Sequence, residues 1–135
     1  MIDRLATSFD RVLAQLHQQL QSEEQFTLRL QAEISQFTRF NHAKVRQTGI
    51  VQDGTLQLQL IAHQRSSSIE FPLTGEIEID LIQAQLALEC LRVELPQLPI
   101  DPYLVLPTGA ATSHEVHLGQ LLPAADVVFL PALIV

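Results

Sequence analysis

LHQQLQSEEQFTLRLQAEI, residues 16–34, changes its hydrophobic period from that of a helix to that of a strand. Upstream, residues 2–20 carry apolar side chains at steps of three and four, which predicts an amphipathic helix that ends at residues 21–25. From Phe26 to Ile34 apolar and polar residues alternate, which is typical of a half-buried β-strand. The chain therefore starts with a helix that leads into a strand.

The next fifty residues predict further strands. Residues 37–47 are expected to be extended with a bend near Asn41, and Asp53-Gly54 is a dipeptide that favours a tight hairpin turn. Alternation resumes in the leucines of residues 55–60. The serines at 66–68 predict a loop, and SIEFPLTG (68–75) predicts a last strand, whose proline suggests a sheet edge.

A second helical period covers residues 80–95. Its apolar side chains span more than half of the circumference: Leu81, Ile82, Leu86, Leu88, Leu91, Val93 and Leu95. Such a broad face predicts a helix that packs on a sheet and contacts something else as well. Cys90 is expected to be buried there as a small hydrophobe. The sequence thus predicts an α+β fold: an antiparallel β-sheet with an N-terminal helix and a second long helix packed on it, and an irregular C-terminal tail.

Length, net charge and cysteine content limit the classes of function that fit this chain. The chain has 135 residues, which fits one domain, and its net charge of −7 disfavours general binding to nucleic acid or to anionic lipid. Its first sixteen residues lack the apolar core that is typical of a signal peptide, and no uninterrupted apolar stretch has membrane-spanning length. Its one cysteine cannot form an internal disulfide, which suits a reducing compartment. We therefore expect a soluble cytoplasmic protein.

The segment His114-Glu115-Val116-His117 resembles a zinc-peptidase motif but fails its geometry. A zincin needs H-E-x-x-H, because that spacing places both imidazoles on one helical face beside the glutamate. Here the second histidine, His117, comes one residue early, in a glycine-flanked context. The segment is interpreted as a polar loop. No catalytic residue and no metal ligand is predicted in this chain.

A cationic segment is the more informative feature. Between Glu33 and Asp53 the sequence has Arg39, Lys44 and Arg46 and no acidic residue, although acids outnumber bases nearly two to one in the chain. One interpretation is a solvated strand edge with cationic residues that block aggregation. The other is a docking surface for a peptide or a partner protein. The residues predicted to form this contact are Arg39, Asn41, His42, Lys44 and Arg46.

The same segment carries a family resemblance. EISQFTRFNHAKVRQTGIVQ (33–52), LQLQLIAHQR (56–65) and LRVELPQLPIDPYLVLP (91–107) are similar to the N-terminal part of the TldD/PmbA family, also described as modulators of DNA gyrase. This family consists of bacterial proteins related to metalloproteases, and the likeness is closest to its cyanobacterial TldD-related form. It extends over most of residues 25–122.

The resemblance implies a non-catalytic N-terminal domain. The family's H-E-x-x-x-H zinc motif belongs to a downstream part, and here position 119 is Gly119, so no zinc ligand carries over. Zinc would belong to a missing domain or to a partner, and the chain itself has no cofactor. The implied role is contact with a partner or handling of a peptide substrate. Candidate partners are a second copy, a TldD/PmbA-type subunit or an unfolded peptide.

The expected organisation is an α+β domain over residues 1–107 and an irregular apolar tail over 108–135. The tail is read as the possible start of a truncated next domain; a cut made for expression, a frameshifted gene and a naturally short paralogue stay open as explanations. The rival interpretation is a free-standing binding module that uses the cationic surface at residues 39–46 as an adaptor.

Overall fold

The computed structural model describes residues 2–106 and Glu115. It confirms the α+β fold: a three-stranded antiparallel sheet in the order β1-β2-β3, with one helix before it and one after it. The elements are α1 (Ile2–Gln19), β1 (Gln25–Asn41), β2 (Lys44–Ala62), β3 (Arg65–Pro72), α2 (Ile77–Glu94) and a 3₁₀ helix (Leu95–Gln97). The predicted tail lies outside the described residues, apart from Glu115.

The prediction of a hairpin turn at Asp53-Gly54 is wrong, because both residues lie within β2. Gly54 serves close packing instead. A Cβ at this position would lie 3.1 Å from Leu5 Cδ1 and 3.4 Å from the Leu73 carbonyl oxygen. Only glycine lets the strand approach these groups without displacing them.

The chain reverses at two other dipeptides. His42-Ala43 joins β1 to β2, and His63-Gln64 joins β2 to β3. All four residues have positive φ, between 51° and 62°. Two-residue hairpins favour this geometry because its twist matches that of the flanking strands, although Asn and Gly are the usual residues. The sequence signal for both turns is therefore weak.

The serine run at 66–68, predicted to be a loop, belongs to β3. Pairing with β2 extends from Ala62↔Arg65 to Thr55↔Pro72 and includes all three serines. The ladder of backbone hydrogen bonds overrides the weak strand preference of serine. The edge position predicted for the proline-containing strand is confirmed, since β3 is the last strand of the sheet.

The hydrophobic core lies between the helices and one face of the sheet. The buried side chains of the core come from every described element except β1: Leu5, Val12, Leu16, Leu56, Leu58, Leu60, Ala62, Phe71, Leu73, Ala84, Ala87, Leu88, Leu91 and Leu95. Phe26, Leu28 and Leu30 of β1 pack at its margin. The alternating leucines of β2 thus face the core, as their period predicts.

Only one face of α2 enters this core. It is lined by Ala84, Ala87, Leu88 and Leu91, so small residues let the helix lie close to its neighbours. Ile82, Leu86 and Val93, which also belong to the broad apolar face predicted for this helix, are exposed and lie outside the core. Cys90, expected to be buried, is exposed too. The apolar residues of α2 therefore lie on two faces of the helix, one that packs in the core and one that is exposed.

The described residues divide into two compact units. One contains residues 2–32 and 54–106, which include the core. The other contains residues 33–53, the end of β1, the turn at 42–43 and the start of β2. We call this second segment the 33–53 hairpin.

Candidate protein-contact site

The five residues predicted to form a contact lie around one turn. Arg39 and Asn41 are at the end of β1, His42 is in the turn, and Lys44 and Arg46 are at the start of β2. The antiparallel pairing of β1 with β2 therefore gathers into one place side chains that the sequence predicts only as a linear segment.

The 33–53 hairpin is open to solvent along its whole length. None of its residues is buried, and every residue from Arg39 to Thr48 is exposed. The β3 register ends at Thr55, and the Gly54 carbonyl accepts from the Leu73 amide at 3.0 Å, so no described strand pairs with the β3-facing side of β2 over residues 44–53. An unpaired strand edge of this kind offers backbone groups to another chain.

The cations of the hairpin are available for a partner. Within the described part of the chain, Arg39, Lys44 and Arg46 make no ion pair and no side-chain hydrogen bond. Pairing of these arginines with Glu33 or Glu70, the structural alternative, is not found among these residues. By contrast, Arg4 pairs with Glu76 and Arg92 pairs with Glu24. Among the described residues, the hairpin therefore concentrates positive charge that no acidic side chain pairs, in a chain of net charge −7.

An aromatic ring stabilises the hairpin internally. A Cβ on Gly49 would lie 2.9 Å from Cε1 and Cζ of Phe37, so the ring covers the glycine backbone. Aromatic residues next to a strand glycine compensate for the side chain that glycine lacks. This contact holds β1 and β2 together at a point where no residue of the hairpin is buried.

A buried polar cluster, which sequence reasoning missed, lies at the start of α2. The Asp80 carboxylate accepts hydrogen bonds from the Ser8 hydroxyl at 2.5 Å and from the Thr74 and Gly75 backbone amides at 2.9 Å each. The Thr74 hydroxyl donates a fourth, at 2.8 Å. Both Asp80 and Ser8 are fully buried, so no substrate reaches them. The cluster is structural. Its signal in the sequence is a lone acid between Ile79 and Leu81.

A second polar contact joins α2 to the segment after α1. Arg92 donates to both carboxylate oxygens of Glu24, with Nε at 3.0 Å and Nη2 at 2.8 Å, and Nη2 also donates to the Gln19 carbonyl at 2.6 Å. These hydrogen bonds lower the pKa of Glu24 below its usual 4.5, against the opposing effect of burial. They raise the pKa of Arg92. The bidentate pair therefore fixes where β1 begins.

The histidines of the zinc-like segment, His114 and His117, lie outside the described residues. Between them, Glu115 is exposed. Residues 2–106 and Glu115 contain no group of three or more histidine, cysteine or acidic side chains that could hold a metal ion. Among the same residues, no helix is both long enough and apolar enough to cross a membrane.

Comparison with family models, with curated proteins and with solved structures finds no match to this chain.

Proposed function

We propose that this chain is a non-catalytic protein-binding domain whose contact surface is the 33–53 hairpin. The observation that carries the proposal is the gathering of Arg39, Lys44 and Arg46 around one exposed turn, without an acidic partner among the described residues. Arginine favours carboxylate ligands, because its guanidinium forms two parallel hydrogen bonds to them. The partner surface is therefore acidic.

The energetics of the hairpin favour this role. An isolated two-stranded hairpin is only marginally stable in water, and this one buries none of its residues. A partner that covers its apolar side chains or adds a strand to its β2 edge stabilises it. Cationic residues also prevent uncontrolled pairing of the edge. The same charges thus protect the surface when it is free and select an acidic partner.

The resemblance to the TldD/PmbA family gives the proposal a biological setting. In that setting the domain belongs to a cytoplasmic proteolytic system of TldD/PmbA type, and zinc is held by another domain or subunit. The hairpin then contacts a TldD/PmbA-type subunit or an unfolded peptide on its way to the protease. This setting rests on the sequence resemblance of residues 33–52, 56–65 and 91–107 to that family.

The second candidate is a stand-alone adaptor that uses the same surface outside any protease. It is favoured by the structure of residues 2–106, where α1, the sheet and α2 enclose a hydrophobic core. Both candidates require the cationic hairpin. They differ in the partner, and the genomic sequence downstream of this chain separates them if it encodes the rest of a family member.

The test is a titration of the immobilised chain with a purified TldD-type subunit, a PmbA-type subunit and a glutamate-rich extended peptide. The Arg39→Glu/Arg46→Glu variant should lose binding, more strongly at about 0.1 M than at about 1 M salt, where the Debye length falls from ~10 Å to ~3 Å. The matched control is Arg11→Glu/Arg29→Glu, which changes the net charge equally at two exposed arginines elsewhere.

Binding of either subunit supports the proteolytic setting, whereas binding of the peptide alone supports the adaptor. If the wild type and the hairpin variant bind equally, the hairpin is only a solvated edge and the proposal is wrong. A hairpin variant that loses its circular dichroism signal would assign the arginines a structural role, which also contradicts the proposal.

A further inference from the structure

The outer face of α2 is an exposed apolar stripe. Ile79, Ile82, Leu86 and Val93 expose 49, 61, 54 and 70 % of their surface. Their steps of three, four and seven residues align them along one side of the helix. We call these four residues the α2 stripe. The core does not need them, since the opposite face of α2 already fills it.

Negative charge borders the α2 stripe. The helical positions of Glu78, Glu89 and Glu94 flank it, and all three are exposed. The one basic residue of the helix, Arg92, is engaged by Glu24. An apolar surface edged by carboxylates selects a partner that is apolar and cationic.

The 33–53 hairpin has this complementary character. Its exposed apolar side chains include Val45, Ile50 and Val51, at 39, 65 and 47 % exposure. Its charged groups between Glu33 and Asp53 are all cationic, and they account for three of the eight basic residues of the chain. Both surfaces therefore combine apolar side chains with charge, which is negative beside the α2 stripe and positive between the end residues of the hairpin.

We infer that the α2 stripe is the docking surface for the 33–53 hairpin of a second copy of this chain. The inference deepens the proposed function and rests on it, since it names the hairpin's partner. Pairing of two α2 stripes is disfavoured, because it would bring carboxylates against carboxylates. Each copy carries both surfaces, so each copy contributes one surface to a contact and offers the other to a further copy.

Sedimentation equilibrium of the full chain tests this inference. The wild type should self-associate, and association should weaken at about 1 M salt. The hairpin variant Arg39→Glu/Arg46→Glu and the stripe variant Glu89→Arg/Glu94→Arg should each weaken it roughly tenfold or more. The Arg11→Glu/Arg29→Glu control should associate like the wild type. Leu86→Ser should also weaken association, because it removes apolar contact alone.

A mixture of the hairpin variant and the stripe variant tests the inference most specifically. The reversed hairpin of one variant is complementary to the reversed stripe of the other, and the unchanged surfaces of the pair still match. Association should therefore return in the mixture, although each variant alone stays monomeric. Circular dichroism confirms that each variant is folded.

A wild type that stays monomeric at every concentration overturns the inference. So does association that the hairpin variant abolishes and the stripe variant leaves intact, and so does a mixture that fails to associate. None of these results touches the proposed function, whose own test is binding of the separate subunits and of the acidic peptide. That test fails if the hairpin variant binds them like the wild type, or if the variant unfolds.

Discussion

Ser8 donates a hydrogen bond of 2.5 Å to Asp80, and both side chains are fully buried between α1 and α2. The same carboxylate accepts from the amides of Thr74 and Gly75, which precede α2. All of its hydrogen-bonding partners are donors, and an ionised carboxylate can accept several hydrogen bonds at once. One side chain thus joins the first helix, the loop after β3 and the start of the second helix.

Asp80→Ala should destabilise the fold by about 2–5 kcal/mol, because it leaves several buried donors without an acceptor. Ser8→Ala removes one of the donors and should cost less, about 1 kcal/mol. Urea denaturation of both variants measures the difference. A variant Asp80→Ala with the wild-type midpoint would show that the cluster does not hold the two helices together.

The two faces of α2 predict different losses of stability for two leucines that lie five positions apart, Leu86 and Leu91. Leu91 is fully buried, so Leu91→Ala should cost about 2–5 kcal/mol, whereas Leu86 is 54 % exposed and Leu86→Ala should stay within about 0.5 kcal/mol. The measurement is the free energy of unfolding in dilute solution. Equal losses for the two variants would contradict the assignment of the faces.

The Glu24–Arg92 pair predicts a dependence of stability on pH. Folding lowers the pKa of Glu24, so the pair's contribution is complete above 4.5 and is lost as the pH falls through the lower folded value. Glu24→Gln and Arg92→Met should therefore each lower the free energy of unfolding at neutral pH. On acidification, the free energy of unfolding of each variant should fall by less than that of the wild type. The check is the free energy of unfolding from neutral pH to below 4.5. Acid profiles parallel to that of the wild type would contradict it.

Two glycines of β2 should respond differently to the same substitution. At Gly54 a new side chain meets buried Leu5 and the Leu73 carbonyl, so Gly54→Val should cost about 1–3 kcal/mol. At Gly49 it meets only the partly exposed ring of Phe37, which can swing aside, so Gly49→Val should cost less. Thermal denaturation compares them. A larger loss at Gly49 would mean that the Phe37 contact matters more than the core.

Hydrophobic period predicted the fold class because burial enforces it. The leucines of β2 and the apolar residues of α1 recur at the spacing of their element, and the structure buries Leu56, Leu58 and Leu60 completely. The hydrophobic period does not predict which residues are buried where an element has more apolar residues than the core can cover. In α2 the sequence alone could not show which face packs against the core, because Leu86 and Leu91 are the same residue type in the same apolar pattern.

Turns and polar contacts were predicted less well, for a different reason. Asp53-Gly54 is a common turn dipeptide, and His42-Ala43 is not, yet the strand pairing places the turn at the second. The partners of Asp80 and Arg92 lie about seventy positions away in the chain, at Ser8 and Glu24. No local pattern records such contacts. The cationic segment, by contrast, was visible in the sequence, because the five residues predicted to form a contact lie within eight positions of one another.

Backbone hydrogen exchange, followed by mass spectrometry, tests most directly the claim that the 33–53 hairpin is the binding surface. Exchange is measured for the chain alone and with a saturating concentration of the TldD-type subunit, the PmbA-type subunit or the acidic peptide. The account predicts that binding slows exchange in peptides from residues 33–53, since none of these residues is buried in the free chain and such a segment opens readily. Slowed exchange confined to other residues, with the 33–53 hairpin unchanged, would contradict it.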